Sequence, residues 1–322
     1  MKISVLTVPL QDRSAEEAFA WLHGLGVESV ELGAGGYTND SHLHPAVLLH
    51  SGQAVAALKE LLAKYDLSIS ALSCHGNPVH PNRQRAAADH QTFVDTCKIA
   101  QTLGVDTVVT FSGCPGDSAG SKFPNWVTCA WPDDYPAILE WQWERVLIPY
   151  WKEAAQIAAS YGVRRIALEM HPGFCVYNPE TLLKLREAVG PTIGANFDPS
   201  HLIWQGIDPV AAIKALKGAI YHVHAKDTRI DPQNAAVNGV LDTKSFGQMA
   251  DRSWIFRTIG YGHDTDYWKS MMSALQLIGY DRAFSIEHED GLMSTTEGLE
   301  KAIEFLKSVI IREKPLDNMF WA

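Results

Sequence analysis

The sequence predicts a single (β/α)8 TIM barrel. Short runs of β-branched and apolar residues alternate with longer amphipathic stretches, which is typical of repeated βα units around a parallel sheet. Eight such units can be counted, and eight is the number that closes a barrel. The length of 322 residues also suits one barrel, because such domains typically contain about 250 residues before insertions.

Each predicted strand is a short run bounded by turn-forming or polar residues, as expected for strands buried in a parallel sheet. In chain order the eight strands are Ile3 to Thr7, Ser29 to Leu32, Ser68 to Ser73, Thr107 to Phe111, Arg165 to Glu169, Thr192 to Phe197, Ile220 to His224 and Ala283 to Glu287.

The predicted helices lie between these strands. Several end in a glycine followed by a β-branched or aromatic residue, and glycine most readily adopts the left-handed cap; examples are Gly104, Gly162 and Gly279. The helices are Glu16 to Leu25, Ala54 to Lys64, Gln91 to Leu103, Glu144 to Tyr161, Pro179 to Ala188, Pro209 to Leu216, Tyr267 to Ile278 and Thr295 to Ser308.

Two connections are longer than ordinary loops, one from Ser112 to about Ile138 after the fourth strand and one from Lys226 to about Thr265 after the seventh. Both follow a strand, so we expect both on the carboxyl face of the barrel, where barrel enzymes carry their active sites. Four aromatic residues of the first connection could stack on a sugar ring or pack beneath their own loop: Phe123, Trp126, Trp131 and Tyr135.

We expect one domain over residues 1–322, with a C-terminal tail from about 310 to 322. Three apolar residues near its end, Met319, Phe320 and Trp321, would be costly to expose. They are expected to dock on the barrel or on a second subunit. The protein would then work as a homo-oligomer or with a partner subunit.

The formal net charge of -10 argues against a nucleic-acid partner, because such proteins usually carry a clustered basic surface. No basic amphipathic segment suggests membrane binding. The N-terminal apolar run is too short, and too soon followed by polar residues, for a signal peptide or a spanning helix. We therefore expect a cytoplasmic protein with reduced cysteines.

Ionisable residues stand at the ends of four successive predicted strands, the fifth to the eighth. A buried unpaired charge costs several kcal/mol unless an ion or a partner compensates it, so this placement indicates a bound cation more strongly than a set of buried ion pairs. The carboxylates are Glu169, Asp198 and Glu287, and the imidazoles are His201, His222 and His224.

The three carboxylates together with one of these imidazoles would form an oxygen-rich set of ligands. Such a set favours Mn²⁺, with Mg²⁺ or Co²⁺ as alternatives, over the thiolate sites that select zinc. Two positions of an octahedral ion would remain for the hydroxyl and carbonyl oxygens of an α-hydroxy ketone. Chelation there would polarise the carbonyl and acidify the adjacent C–H bond.

Four segments, LEMHPG, FDPSH, HVHAKDTR and IEHED, resemble motifs of the sugar phosphate isomerase/epimerase superfamily, the xylose-isomerase-like barrels. Ketose 3-epimerases, inosose dehydratases and endonuclease IV belong to it. The resemblance extends over essentially the whole chain. It implies that four residues bind the metal and two more hold substrate oxygens: Glu169, Asp198, His224 and Glu287 are the ligands, and His201 and Arg229 are the substrate contacts.

The resemblance to ketose epimerases also implies that Glu169 and Glu287 form the acid/base pair. One would remove a proton beside the substrate carbonyl and the other would return it through an enediolate. The same pair could begin a β-elimination. A lyase, dehydratase or deglycosidase of an inosose or 3-keto-glycoside is therefore the alternative to an isomerase or epimerase of a keto-sugar, and a non-catalytic barrel subunit is a third.

A phosphorylated substrate is not favoured, because no Gly-rich phosphate cradle follows the seventh and eighth strands. Endonuclease IV is disfavoured as well, since the fourth strand ends in FSGCPGD without a histidine and the chain is acidic. The expected partner is a small sugar substrate.

Three further residues are candidate substrate contacts. His75 could reach a substrate hydroxyl or act as an extra acid, or it could hydrogen-bond within its own turn. His171 could contact substrate or orient Glu169. Lys226 could contact substrate or pair with a carboxylate.

Two residues of the HVHAKD segment are assigned structural roles. We expect His222 to point away from His224, into the layer between strands and helices. Asp227 is expected to anchor the long connection that follows it.

Overall fold

Parallel strands close on themselves into an eight-stranded barrel in the computed structural model, which describes residues 1–313. Around the barrel each strand pairs with its neighbour along the chain, and the last barrel strand closes against the first. The predicted (β/α)8 barrel is thereby confirmed. The barrel strands are β1 (Lys2–Leu6), β2 (Ser29–Gly33), β3 (Ser68–Ser73), β4 (Thr107–Phe111), β5 (Arg165–Glu169), β6 (Ile193–Phe197), β7 (Ile220–Ala225) and β10 (Ala283–Ile286). Two further strands, β8 (Asp227–Ile230) and β9 (Trp254–Arg257), form a separate antiparallel pair.

Helices pack around the strands and bury the apolar outer surface of the barrel. They are α1 (Ala15–Gly24), α2 (Pro45–Leu48), α3 (Gly52–Lys64), α4 (Arg83–Leu103), α5 (Asp134–Trp141), α6 (Ile148–Ser160), α7 (Pro179–Val189), α8 (Pro199–Ile203), α9 (Pro209–Ala215), α10 (Pro232–Asn238), α11 (Thr265–Leu277) and α12 (Thr295–Val309). Short 3₁₀ segments cover Val8–Leu10 and Met249–Asp251, and a π-helical turn covers Gln142–Leu147 before α6.

Local cap chemistry explains where several helices begin and end. Ser14 forms a reciprocal capping box with Glu17 at the start of α1. Asn82 caps α4 by accepting backbone N–H bonds at its first turn, so this helix starts earlier than the predicted Gln91. Gly104 ends α4 in the left-handed conformation with φ 76°, as its position predicts.

The connection after β7 is a folded insertion and not a plain loop. It contains the β8–β9 pair, α10 and a 3₁₀ turn before α11 begins. The buried carboxylate of Asp227 holds it, because that carboxylate accepts hydrogen bonds from the backbone N–H groups of Gly262 and His263 and from the Trp268 indole N–H. Asp227 thus ties the start of the insertion to its end.

Two expectations concern the membrane and the tail. Within residues 1–313, no helix is both long and apolar enough to cross a membrane. The apolar residues Met319, Phe320 and Trp321 lie outside the described residues.

We expect Asp227→Ala to lower the free energy of unfolding by about 2–4 kcal/mol, because it leaves several buried N–H donors without an acceptor. Urea denaturation followed by circular dichroism measures this. Asp251→Ala, at an exposed aspartate of the same insertion, is the matched control and should change little. Equal stability of the two variants would contradict the anchoring role.

Candidate active site

Four side chains from four successive barrel strands meet at the carboxyl end of the barrel. Glu169 is the last residue of β5, Asp198 follows β6, His224 lies within β7, and Glu287 follows β10. Each offers one ligand atom, and these atoms all lie within 4.8 Å of one another. The structure therefore brings together the four residues that the sequence analysis selected as a metal-binding set.

Glu169 lies at the centre of a hydrogen-bond network. Its Oε2 accepts bonds from His75 Nε2 at 3.1 Å and Asn196 Nδ2 at 3.0 Å, and its Oε1 accepts one from His201 Nε2 at 3.1 Å. Burial acts to raise the pKa of Glu169, but the hydrogen bonds from His201, His224 and His75 outweigh it and hold that pKa well below its usual range. Glu169 is therefore an ionised carboxylate at neutral pH.

Asp198 is fully buried and only half satisfied by the protein. Its Oδ1 caps α8 by accepting the Ser200 backbone N–H at 2.8 Å. Its Oδ2 lies 3.0 Å from Lys226 Nζ and 3.3 Å from His201 Nε2, yet it has no hydrogen-bond geometry with any residue of 1–313. Burial raises the pKa of Asp198 to about 6 despite the nearby Lys226 charge. A divalent cation would satisfy the remaining oxygen and keep the group ionised.

Lys226 supplies a buried positive charge among these carboxylates. Its Nζ donates to Glu287 Oε2 at 2.7 Å and to Glu289 Oε2 at 3.0 Å. Burial opposes the charged form, but Asp198 and Glu287 raise the pKa of Lys226 well above its usual value. In return, although burial acts to raise it, the pKa of Glu287 falls to about 2 because of Lys226 and His224. The ammonium group thus keeps Glu287 ionised.

Glu31 and His222 belong to the same buried network; the sequence analysis missed Glu31 and gave His222 a structural role outside the site. Glu31, in β2, accepts hydrogen bonds from His222 Nε2 at 2.8 Å and from His224 Nε2 at 3.1 Å. The expectation that His222 points away from His224 is wrong, because residues two apart on a strand face the same side. The signal for Glu31 was a carboxylate inside the apolar run SVELG.

Glu31 orients His224 toward the other cluster residues. With Nε2–H donated to Glu31, the other ring nitrogen, Nδ1, faces Glu287 Oε2 at 2.9 Å and Glu169 Oε2 at 3.3 Å. Burial would lower the pKa of His224, but Glu31 and Glu287 raise it well above its usual value. Such carboxylate–histidine pairs orient metal-binding imidazoles in proteins. Glu31 is therefore a positioning residue of the site.

The remaining predicted substrate contacts divide into two groups. His75 and His171 both lie at the cluster, the former against Glu169 and the latter with its ring centroid 4.1 Å from that of His201. Burial, followed by the influence of His201, lowers the pKa of His171 to about 3, so its ring is neutral. Arg229 is exposed on β8 and donates to the Gly262 carbonyl at 3.1 Å, so the structure does not bring it to the cluster.

A cavity of about 400 Å³ opens beside His171 and His201. Residues of both long connections line it, Trp126 from the first and the segment around Trp254 from the second. Of the four predicted loop aromatics only Trp126 lines this cavity, while Phe123 and Trp131 are exposed. The site thus combines a charged cluster with an aromatic recess.

The chain is similar to known proteins over nearly its whole length. The sequence profile of the xylose isomerase-like TIM barrel family matches residues 19–309. The protein YfiH of Bacillus subtilis (strain 168), described as uncharacterized, is 40% identical over 313 residues, which is 96% of this chain and 99% of that protein.

Two further similarities concern proteins whose descriptions name a reaction. The inosose dehydratase of Geobacillus thermodenitrificans (strain NG80-2) is 28% identical over 158 residues, which is 49% of this chain and 50% of that enzyme. A crystal structure described as a D-tagatose 3-epimerase-like protein superposes with a TM-score of 0.63 at 22% identity, covering 96% of this chain and 98% of the other. At this identity the second likeness shows the fold alone.

We expect Glu31→Gln to weaken Mn²⁺ binding by about 10–100-fold, the usual scale for losing a carboxylate that orients a histidine ligand. Electron paramagnetic resonance titration of chelator-stripped protein measures the affinity. Glu28→Gln, just before the same strand at the opposite end of the barrel, is the matched control. Equal affinity in the two variants would contradict the positioning role.

Proposed function

The chain belongs to the xylose isomerase-like TIM barrel family, and from this premise we propose that it is a divalent-metal-dependent isomerase or epimerase of a non-phosphorylated keto-sugar. The observation that carries the proposal is the meeting of Glu169, Asp198, His224 and Glu287, whose ligand atoms all lie within 4.8 Å of one another. We further propose that the reaction begins with removal of a proton from the carbon beside the substrate carbonyl.

The ligand set fits a divalent cation. Negative charge exceeds positive charge at the cluster, and among the described residues Asp198 Oδ2 has ion-pair contacts but no hydrogen bond. Mn²⁺ suits three carboxylates and one imidazole best, with Mg²⁺ and Co²⁺ as alternatives. The bound ion would supply Lewis-acid polarisation of the substrate carbonyl.

The two glutamates are suited to move the proton. The pKa values of Glu169 and Glu287 both lie below the usual glutamate range, so both are ionised and either can accept a proton at neutral pH. Hydrogen-bond donors contact both carboxylates: His75 and His201 donate to Glu169, and Lys226 donates to Glu287. Fixed donors of this kind hold each carboxylate in one orientation, which proton transfer at a single carbon requires.

A lyase or dehydratase is the second candidate, and the extra proton donors favour it. Elimination needs the same first proton removal and then an acid for the leaving group. His75 and Lys226 lie within hydrogen-bond distance of the two glutamates and could serve as that acid. The similarity of half of the chain to an inosose dehydratase supports this alternative.

Metal binding is tested by single alanine variants of the four proposed ligands. We expect each to reduce the metal content of dialysed protein at least about tenfold, because the ion would lose one of its four protein ligands. Inductively coupled plasma mass spectrometry after loading with Mn²⁺, Mg²⁺, Co²⁺ or Zn²⁺ measures content and preference. Glu289→Ala, at a half-exposed carboxylate bonded to Lys226, is the control and should keep its ion. Full retention in all four ligand variants would remove the proposal.

Proton abstraction is tested in D₂O with Mn²⁺ against a panel of ketoses, inososes and 3-keto-glycosides, followed by NMR. We expect deuterium at the α-carbon of the reacting sugar. Glu169→Gln and Glu287→Gln should each lower turnover by roughly a hundredfold or more, while Glu289→Gln should not. An epimerised ketose supports the isomerase, and loss of water or of an aglycone supports the lyase. Turnover of a substrate without an α-hydrogen would contradict both.

A further inference from the structure

The cavity beside the cluster is additional space, not the metal-binding site itself. None of the four proposed metal ligands lines it. His201 separates the two regions: its Nε2 contacts Glu169 at 3.1 Å, and its ring lies edge-on to Phe256 with centroids 5.3 Å apart. His171 and His201, two of the predicted substrate contacts, line the recess, so a sugar held at the cluster would border it and could place another part of the same molecule there.

Flat aromatic surfaces form much of the recess. The rings of Trp204 and Trp254 stack with centroids 4.7 Å apart and an interplanar angle of 7°. Those of Phe246 and Phe256 stack at 5.7 Å and 15°. Such faces bind the C–H face of a pyranose or the face of an aromatic ring. The recess of about 400 Å³ is within the range of about 300–1,000 Å³ typical of small-molecule pockets.

Two indole donors at the recess have no acceptor in the part of the chain that the structure describes. The Nε1 atoms of Trp126 and Trp204 are buried without a hydrogen-bond partner among residues 1–313, and Trp204 is only 6% exposed. Both residues line the recess. An indole nitrogen can only donate, and leaving a buried donor unpaired is unfavourable. The two donors therefore fit a ligand that carries oxygen acceptors.

The charged side chains that line the recess already form hydrogen bonds or ion pairs with other groups of the protein. Arg252 donates to the backbone carbonyls of Trp254 and Lys244, and its guanidinium stacks on Phe246. Asp242 accepts bonds from Lys244 and the Ser253 backbone N–H. The charged side chains among the described lining residues are thus paired within the protein, so an uncharged occupant fits best.

From these contacts we propose that the recess is a subsite for an uncharged, ring-shaped substituent joined to the reacting sugar, so that the substrate is a glycoside and not a free monosaccharide. The substituent is a second sugar ring or an aryl aglycone, which share a flat face and acceptor oxygens. The subsite proposal rests on the proposed function in one respect only, namely that the reacting sugar lies at the metal cluster.

Binding of unreactive glycosides tests the subsite without requiring catalysis. The probes are methyl glucopyranoside and phenyl glucopyranoside, each as its α and β anomers, and methyl cellobioside and methyl maltoside, which carry a β and an α linkage between their two rings. Each probe is titrated by calorimetry into Mn²⁺-loaded protein. We expect at least one ring-bearing probe to bind about tenfold or more tightly than its methyl counterpart. The phenyl and disaccharide probes distinguish the two kinds of substituent.

Variants locate the added affinity in the recess. Phe246→Ala should abolish most of the added affinity for the ring-bearing probes. Because Phe246 is 59% exposed, this change does not open the core. Trp126→Phe removes the indole donor but keeps a ring, and should reduce the gain partly. Phe123→Ala, at a 78% exposed aromatic that does not line the recess, is the control and should bind like the wild type.

The outcomes separate this proposal from the proposed function. Equal affinity for methyl and ring-bearing probes, or a gain that survives Phe246→Ala, would overturn the subsite even if ketoses exchange their α-protons in D₂O. A gain lost in Phe246→Ala without any such exchange would support the subsite and count against the proposed reaction.

Discussion

Buried charge must be compensated, and this requirement organises the carboxyl end of the barrel. Four carboxylates, those of Glu31, Glu169, Asp198 and Glu287, lie in the interior network, where an isolated ion would cost several kcal/mol. Lys226 is a buried ammonium group that faces two of them, Asp198 and Glu287, while His222 and His224 bond to Glu31. The closed barrel makes the arrangement possible, because strands distant in sequence present their ends to one small volume.

The same requirement links the two sides of the barrel. Glu31 comes from β2, and the other carboxylates come from β5, β6 and the end of β10. His224 in β7 bonds to Glu31 through one ring nitrogen and faces Glu169 and Glu287 through the other. A change at Glu31 therefore acts on the far side of the site through the orientation of a single imidazole ring.

Sequence patterns predicted the barrel well because they depend on local physics. Apolar runs such as Thr107–Phe111 and Arg165–Glu169 have the bounds expected, and four of the ionisable residues at strand ends meet in the folded barrel. His222 was misplaced because strand periodicity was misapplied. Glu31 was overlooked because its partners are nearly two hundred residues away in the chain, and a single sequence does not reveal such pairing. Arg229 lies on a hairpin that was not predicted, and the recess combines segments that meet only in the folded chain.

The β8–β9 hairpin hydrogen-bonds to no barrel strand in the described part of the chain, and Asp227 fastens both ends of its insertion. Its length can therefore change without shifting the register of the eight barrel strands. Related chains are thus free to diverge in this segment while the cluster stays constant. The insertion is accordingly the natural place to graft a segment from a relative when a different cavity lining is wanted beside the same cluster.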